Sequence, residues 1–118
     1  MKPAVVVLLV CAAGLAACSP GPGAGEVRRG REVFLARSCP ACHGAERQGS
    51  AAAPPLKGLR WHWNRESLEA FLRSPWTYRK GSGRLQALAD RYPGDMPGVG
   101  ANADPAEVRA LVSYLLDP

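Results

Sequence analysis

Residues 37–44 read RSCPACHG, and three of them carry chemistry: thiols at Cys39 and Cys42, and an imidazole at His43 directly after the second thiol. Four uses suit such a group. A structural disulfide between residues three apart closes a very small loop, constrains the unfolded chain little, and leaves His43 without a role. A thioredoxin-like redox pair belongs at a helix start behind a strand in a βαβ frame, whereas here a helical pattern precedes Cys39. A zinc site needs four ligands, and Cys39, Cys42, His43 and His62 would supply them, but the adjacent Cys42 and His43 point in different directions and close poorly on one tetrahedral ion. Covalent haem uses all three residues: the thiols form thioethers to the two vinyl groups of one porphyrin edge, and His43 lies under the iron as proximal ligand.

A second axial ligand is available. Met96 is the one methionine besides the initiator, and it sits in GDMPG, where Pro97 stiffens the chain and Gly94 and Gly98 permit a tight turn. A thioether there would favour ferrous over ferric iron and raise the potential. His62, in RWHWN, is the rival for that position, and Trp61, His62 or Trp63 could instead bond a haem propionate. Nothing else in the chain suits catalysis. The carboxylates are scattered, no Ser or Thr has a His partner, and no Gly-rich phosphate loop opens a helix, so no enzyme activity is expected.

Four helices are expected to position these residues, and no run alternates apolar and polar residues long enough to argue a strand. The first covers about 26–38, with Val27, Gly30 or Arg31, and Phe34 on one face, and leads straight into Cys39. A second, 65–73, has a cap at Asn64, an apolar face of Leu68, Phe71 and Leu72, and a stop at Ser74-Pro75. The third spans 83–90. The last begins with Asp104 as N-cap, Pro105 at the first helical position and Glu107 to complete a capping box, followed by Val108, Leu111, Val112 and Leu115. Between them lie GSAAAPPLKG and YPGDMPGVGANA. So much irregular chain leaves few side chains for a core, and a domain this small is marginal unless a large apolar cofactor adds buried surface.

The chain has 118 residues and a formal net charge of +5. Residues 60–91 hold seven basic side chains against Glu66, Glu69 and Asp90, a patch able to steer an acidic partner. No nucleic-acid motif accompanies it. At the other end, Lys2, an apolar run from Ala4 and small residues before Cys18 have the layout of an export signal, too soon broken by SPGPG to span a membrane. Its last residues, LAAC (15–18), resemble the lipobox of bacterial lipoproteins, which implies cleavage before Cys18 and a lipid on its thiol. The expected organisation is a signal peptide at 1–17, the lipidated Cys18 and a flexible spacer at 18–25, and one domain at 26–118, exported and membrane-anchored facing the periplasm or cell exterior.

Residues 26–118 resemble the class I cytochrome c family in the order and spacing of their motifs. GREVFLARSCPACHG is similar to the family's N-terminal helix and haem motif, with Gly30 and Phe34 matching its Gly-x-x-x-Phe and Tyr114 matching the aromatic position of the C-terminal helix. PPLKGL resembles the loop whose Pro carbonyl, matching Pro55, accepts a hydrogen bond from the proximal His, and Leu56 would line the haem edge. LEAFLRSP resembles the middle helix and DMPG the axial Met loop. Phe34 lies five positions before Cys39 where many members have four, a departure that leaves the helix register open. The resemblance implies an all-α class I cytochrome c fold of three to four helices and Gly/Pro-rich loops wrapped around one covalent haem c, with His43 and Met96 as axial ligands. It also implies a single-electron carrier serving an oxidase or dehydrogenase, with no small molecule bound at the iron. A dedicated haem subunit of a periplasmic oxidoreductase complex and a haem-based ligand sensor are the alternative readings.

Overall fold

The computed structural model describes residues 23–118, so the expected signal, the lipobox and Cys18 lie outside the described residues. Among these residues the regular structure is entirely helical: α1 (Ala24–Ala36), α2 (Pro40–His43), a 3-10 turn (Leu59–Trp61), α3 (Arg65–Arg73), α4 (Pro75–Arg79), α5 (Gly83–Arg91) and α6 (Pro105–Leu116). None of these helices is long and apolar enough to cross a membrane.

The two terminal helices make the principal packing. On α6, Val108, Leu111, Val112 and Leu115 recur at helical spacing and are buried, and α1 lays Gly30, Val33 and Phe34 against them. Gly30, rather than Arg31, therefore shares the inner face with Phe34. Its hydrogen is essential to the crossing, since a Cβ there would overlap the Ala110 carbonyl oxygen and come within 2.6 Å of the Tyr114 Cβ. One turn on, the Phe34 and Tyr114 rings meet at 5.4 Å in a tilted arrangement, a geometry their quadrupoles favour. Helix α1 begins at Ala24, two residues before the expected domain boundary, with Glu26 in its first turn.

The extra residue between Phe34 and Cys39 is absorbed where α1 ends. Ser38 takes the left-handed conformation (φ 59°) and donates its N–H to the Leu35 carbonyl at 3.1 Å, while the Cys39 N–H reaches the Phe34 carbonyl at 3.2 Å. This pair of bonds is the Schellman arrangement, normally built on glycine. It keeps Phe34 on α6 and still delivers Cys39 into the next turn. A non-glycine residue in this conformation carries strain of roughly 1–2 kcal/mol. Ser38→Gly is accordingly expected to raise stability by ~0.5–1 kcal/mol, after the entropy that glycine adds to the unfolded chain is subtracted, and a urea melt of the haem-loaded protein measures it.

Helix α3 follows its sequence signals closely. The Asn64 side chain accepts the Ser67 N–H at 2.8 Å and the Ser67 hydroxyl accepts the Asn64 N–H at 3.1 Å, closing a capping box, and Glu69 pairs with Arg73 one turn on at 3.2 Å. Ser74-Pro75 ends α3 as expected, but Pro75 also opens α4, which was not expected: proline's fixed φ and missing N–H are harmless at a first helical position. Ser82 caps α5, which runs to Arg91, one residue past the expected end. In α6, Asp104 caps by accepting the Ala106 N–H at 2.8 Å. Glu107 does not close a capping box. Its carboxylate instead accepts from the Arg37 guanidinium at 2.8 Å, tying the end of α1 to the start of α6.

Candidate functional site

Cys39 stands at the N-cap of the single turn α2 and Cys42 lies within it, and the His43 N–H donates to the Cys39 carbonyl at 3.0 Å. Proline at the first position of this helix presets φ and lets the turn form without a side-chain cap. The turn places both thiols and the buried His43 ring on one cavity. Burial pushes the Cys39 thiol above its ordinary range, partly offset by a backbone hydrogen bond and by Arg37. That is opposite to the lowered thiolate of a redox-active pair. A zinc site finds no support either, because no three His, Cys, Asp or Glu side chains converge among the described residues.

The His43 Nδ1 lies 2.9 Å from the Pro54 carbonyl oxygen. A carbonyl only accepts, so Nδ1 carries the proton and Nε2 keeps its lone pair, the tautomer a metal ligand needs. The acceptor is Pro54, not Pro55 as the resemblance implied. The loop geometry explains the shift: the Leu56 N–H is held by the Arg47 carbonyl at 2.9 Å and the Ser50 N–H by the Ala53 carbonyl at 2.9 Å, which leaves the carbonyl between them turned toward the imidazole. Pro55 and Leu56 both border the cavity.

The cavity has a volume of about 710 Å³. Its walls are chiefly apolar, with Leu59, Leu68, Phe71, Leu72, Leu85 and Leu115 among them. Met96 and His62 both border it. They are held differently. The segment carrying Met96 is pinned on either side, by the Gly94 N–H on the Ala52 carbonyl at 3.1 Å and by the Val99 N–H on the Leu72 carbonyl at 2.8 Å. Between these anchors Gly98 (φ 68°) turns so close to α3 that a side chain would strike the Leu72 carbonyl. His62 instead follows the 3-10 turn with its side chain exposed. Of the three candidates for propionate contact, His62 and Trp63 border the cavity and Trp61, 77% exposed, does not. Trp63 packs on Phe71 at 5.0 Å and Tyr78 at 5.6 Å, and the Arg84 guanidinium lies over its ring at 5.0 Å. Arg84 also borders the cavity, which gives it the charge to face a carboxylate there. Its place in a general run of basic residues gave the sequence reading no reason to single it out.

Arg47 is a second residue that the sequence reading missed. It adopts φ 60°, donates to the Tyr114 and Asp117 carbonyls at 2.9 and 3.2 Å, and lies over the Tyr114 ring at 4.6 Å. A cation thus binds carbonyls in and just beyond the last turn of α6, where the helix dipole is negative. Through its own carbonyl, the same residue fixes Leu56 and so the loop that presents Pro54 to His43. Arg47→Ala should lower stability by about 2 kcal/mol, from the charged hydrogen bonds and the stacked ring together, read as a lower urea midpoint with unchanged slope.

A haem fits this site on its donor set: two thiols three positions apart, an imidazole in the ligating tautomer, a thioether on the same cavity, and apolar walls of a volume within the roughly 300–1,000 Å³ of small-molecule pockets. The family model described as Cytochrome c matches residues 27–117. No curated protein and no solved structure gives a significant match. The match runs from within α1 to the end of α6 and includes every residue of the cavity, so the chain belongs to the cytochrome c family, whose domains hold covalent haem c and typically act as electron carriers.

Proposed function

We propose that this protein is a single-electron carrier in a respiratory or periplasmic chain, with haem c attached through Cys39 and Cys42 and ligated by His43 and Met96. The observation that carries the reading is the Nδ1 hydrogen bond of His43 to the Pro54 carbonyl, which commits Nε2 to the cavity that Met96 also borders. When bound, the haem supplies a one-electron ferric–ferrous couple. His43 acts as an electron-rich ligand because its bonded N–H is drawn toward the carbonyl. Met96, held between the Gly94 and Val99 anchors, would offer the iron a soft sulfur that favours the reduced state. The apolar walls keep water away and lower the local dielectric. With His43 and Met96 both as ligands, substrates and gases would have no site at the metal, which is the reason to prefer a carrier over a ligand sensor.

The resemblance of LAAC to a lipobox supports export and a lipid on Cys18, so that the carrier would work tethered at a membrane surface beside its donor and acceptor proteins. The test is the full chain made with a haem-attachment system. Haem is expected to survive acid-acetone extraction, and Cys39→Ser with Cys42→Ser to release it completely. Retention of haem in that double variant would sink the thioether assignment. The same preparation should enter the detergent phase on partitioning, and Cys18→Ala should move it to water; unchanged partitioning would remove the anchor from the proposal.

A further inference from the structure

The five residues Ser50 to Pro54 bond to both of the segments that carry the candidate ligands. The Ser50 hydroxyl donates to the Cys42 carbonyl at 2.7 Å and accepts the Ala52 N–H at 3.1 Å, and the Ser50 N–H closes the turn on the Ala53 carbonyl at 2.9 Å. The turn is thereby fixed to the end of α2, next to His43, whose own carbonyl accepts the Gly49 N–H at 2.7 Å. Two carbonyls of this turn then serve the two candidate ligands. Pro54 accepts from the His43 ring at 2.9 Å, and Ala52 accepts the Gly94 N–H at 3.1 Å, two residues before Met96. The second approach is close, since a Cβ on Gly94 would come within 2.5 Å of the Ala52 carbonyl oxygen.

The turn reads SAAAP, so among its side chains only the buried Ala53 anchors it by packing, and its shape rests on hydrogen bonds. We propose that residues 50–54 are a strap coupling the two candidate ligands, with Ser50 and Gly94 as positioning residues for Met96. The hydroxyl locked on the Cys42 carbonyl aims the Ala52 carbonyl, and that carbonyl holds the Met96 segment in place before its sulfur meets a metal, which reduces the ordering that ligation must impose. Releasing Ser50, on the His43 side, therefore loosens Met96. The Val99 bond to the Leu72 carbonyl is outside this path and keeps the far end of the segment attached. The inference rests on the His43 and Met96 ligation proposed above.

Imidazole is the probe, titrated into the ferric, haem-loaded full chain, where it must displace the Met96 sulfur to bind. Ser50→Ala is expected to raise the apparent imidazole affinity about threefold, the worth of one solvent-accessible hydrogen bond. Ser50→Thr keeps a hydroxyl and should match the parent. Gly94→Ala should raise the affinity about tenfold, because its Cβ drives the Ala52 carbonyl away. Once that link is cut, adding Ser50→Ala should change nothing further, a coupling that independent effects would not show. A second readout does not involve the metal: in the reduced protein, exchange of the Gly94 amide hydrogen should be faster in Ser50→Ala than in the parent. Arg37→Gln, which breaks the Arg37–Glu107 pair outside the strap, controls for a general loss of stability and should leave imidazole affinity unaltered. Additive effects of Ser50→Ala and Gly94→Ala overturn the strap. So does parent-like imidazole affinity in Ser50→Ala when Met96→Ala binds imidazole more tightly, and in that case the ligation proposal stands. If Met96→Ala leaves imidazole affinity unchanged, Met96 is not the ligand, and the strap fails with that reading.

Discussion

Gly30→Val is expected to abolish the native fold at ordinary temperature. The first atom of any side chain at this position falls on the Ala110 carbonyl and the Tyr114 Cβ, and the carbonyl belongs to a helix that cannot yield locally. The crossing must therefore open, which separates Phe34 from Tyr114 and uncovers Val108 and Leu111, two of the most deeply buried side chains. Overpacking in a core that can adjust costs ~1–3 kcal/mol, and opening this crossing adds lost burial, so the total should exceed about 4 kcal/mol. For a domain of this size that is a fall in Tm of roughly 16 °C or more, and a large part of a total stability of about 5–15 kcal/mol. Gly30→Ala should already show a substantial part of the loss, since its Cβ makes the first of the same clashes. Circular-dichroism melts of the haem-loaded variants measure both. A melt of Gly30→Ala within a few degrees of the parent would show that the helices can slide apart cheaply, contrary to the packing described.

Met96→Ala should leave the fold and the covalent haem in place while changing the electronic properties of the site. The side chain is 37% exposed at the cavity edge and contributes little to the core, and its loop keeps both backbone anchors without it. What disappears is the soft ligand proposed for the iron. The weak red-region sulfur-to-iron band of the ferric protein should vanish, and the potential should fall by on the order of 0.1–0.2 V, a fraction of the ~0.8 V range that axial ligation spans. The opened position should then take carbon monoxide in the ferrous state. If the band and potential survive, Met96 is not the ligand and His62, on the same cavity, becomes the group to replace.

The parts of this structure that could be read from the sequence are those written in local signals. Asn64 and Asp104 announce the starts of α3 and α6, and the apolar spacing of Leu68 with Leu72, or Val108 with Leu111, fixes which face turns inward. Less legible were features decided by partners distant in sequence. Glu107 stands where a capping box would use it, yet Arg37, seventy residues earlier, takes its carboxylate. Pro54 and Pro55 are alike in offering a carbonyl acceptor, and the bonds of Leu56 to Arg47 and of Ser50 to Ala53 select the first. Helix α4 went unread because Ser74-Pro75 is both a stop and a start. Arg47 and Arg84 carry no local mark at all: one is recruited by the end of α6, the other by the face of Trp63. The cavity gathers Cys39, Cys42, His43, Met96, Pro55 and Leu56 on its lining, so the list of chemically useful residues was easier to obtain than the bonds that orient them.

The crossing of α1 on α6 also sets a timetable. Synthesis delivers a chain from its N-terminus, and α1 finds its packing surface only when Val108 to Leu115 have followed it. Until then no stable core can close, because the contacts that would hold it join the two ends of the domain and wait on the longest loop closure available. During that interval the turn containing Cys39 and Cys42 stays open to haem attachment. Had the core been built from neighbouring segments, it could have shut before the haem was attached. Placing half of the core at the last helix makes folding the final step in the protein's maturation.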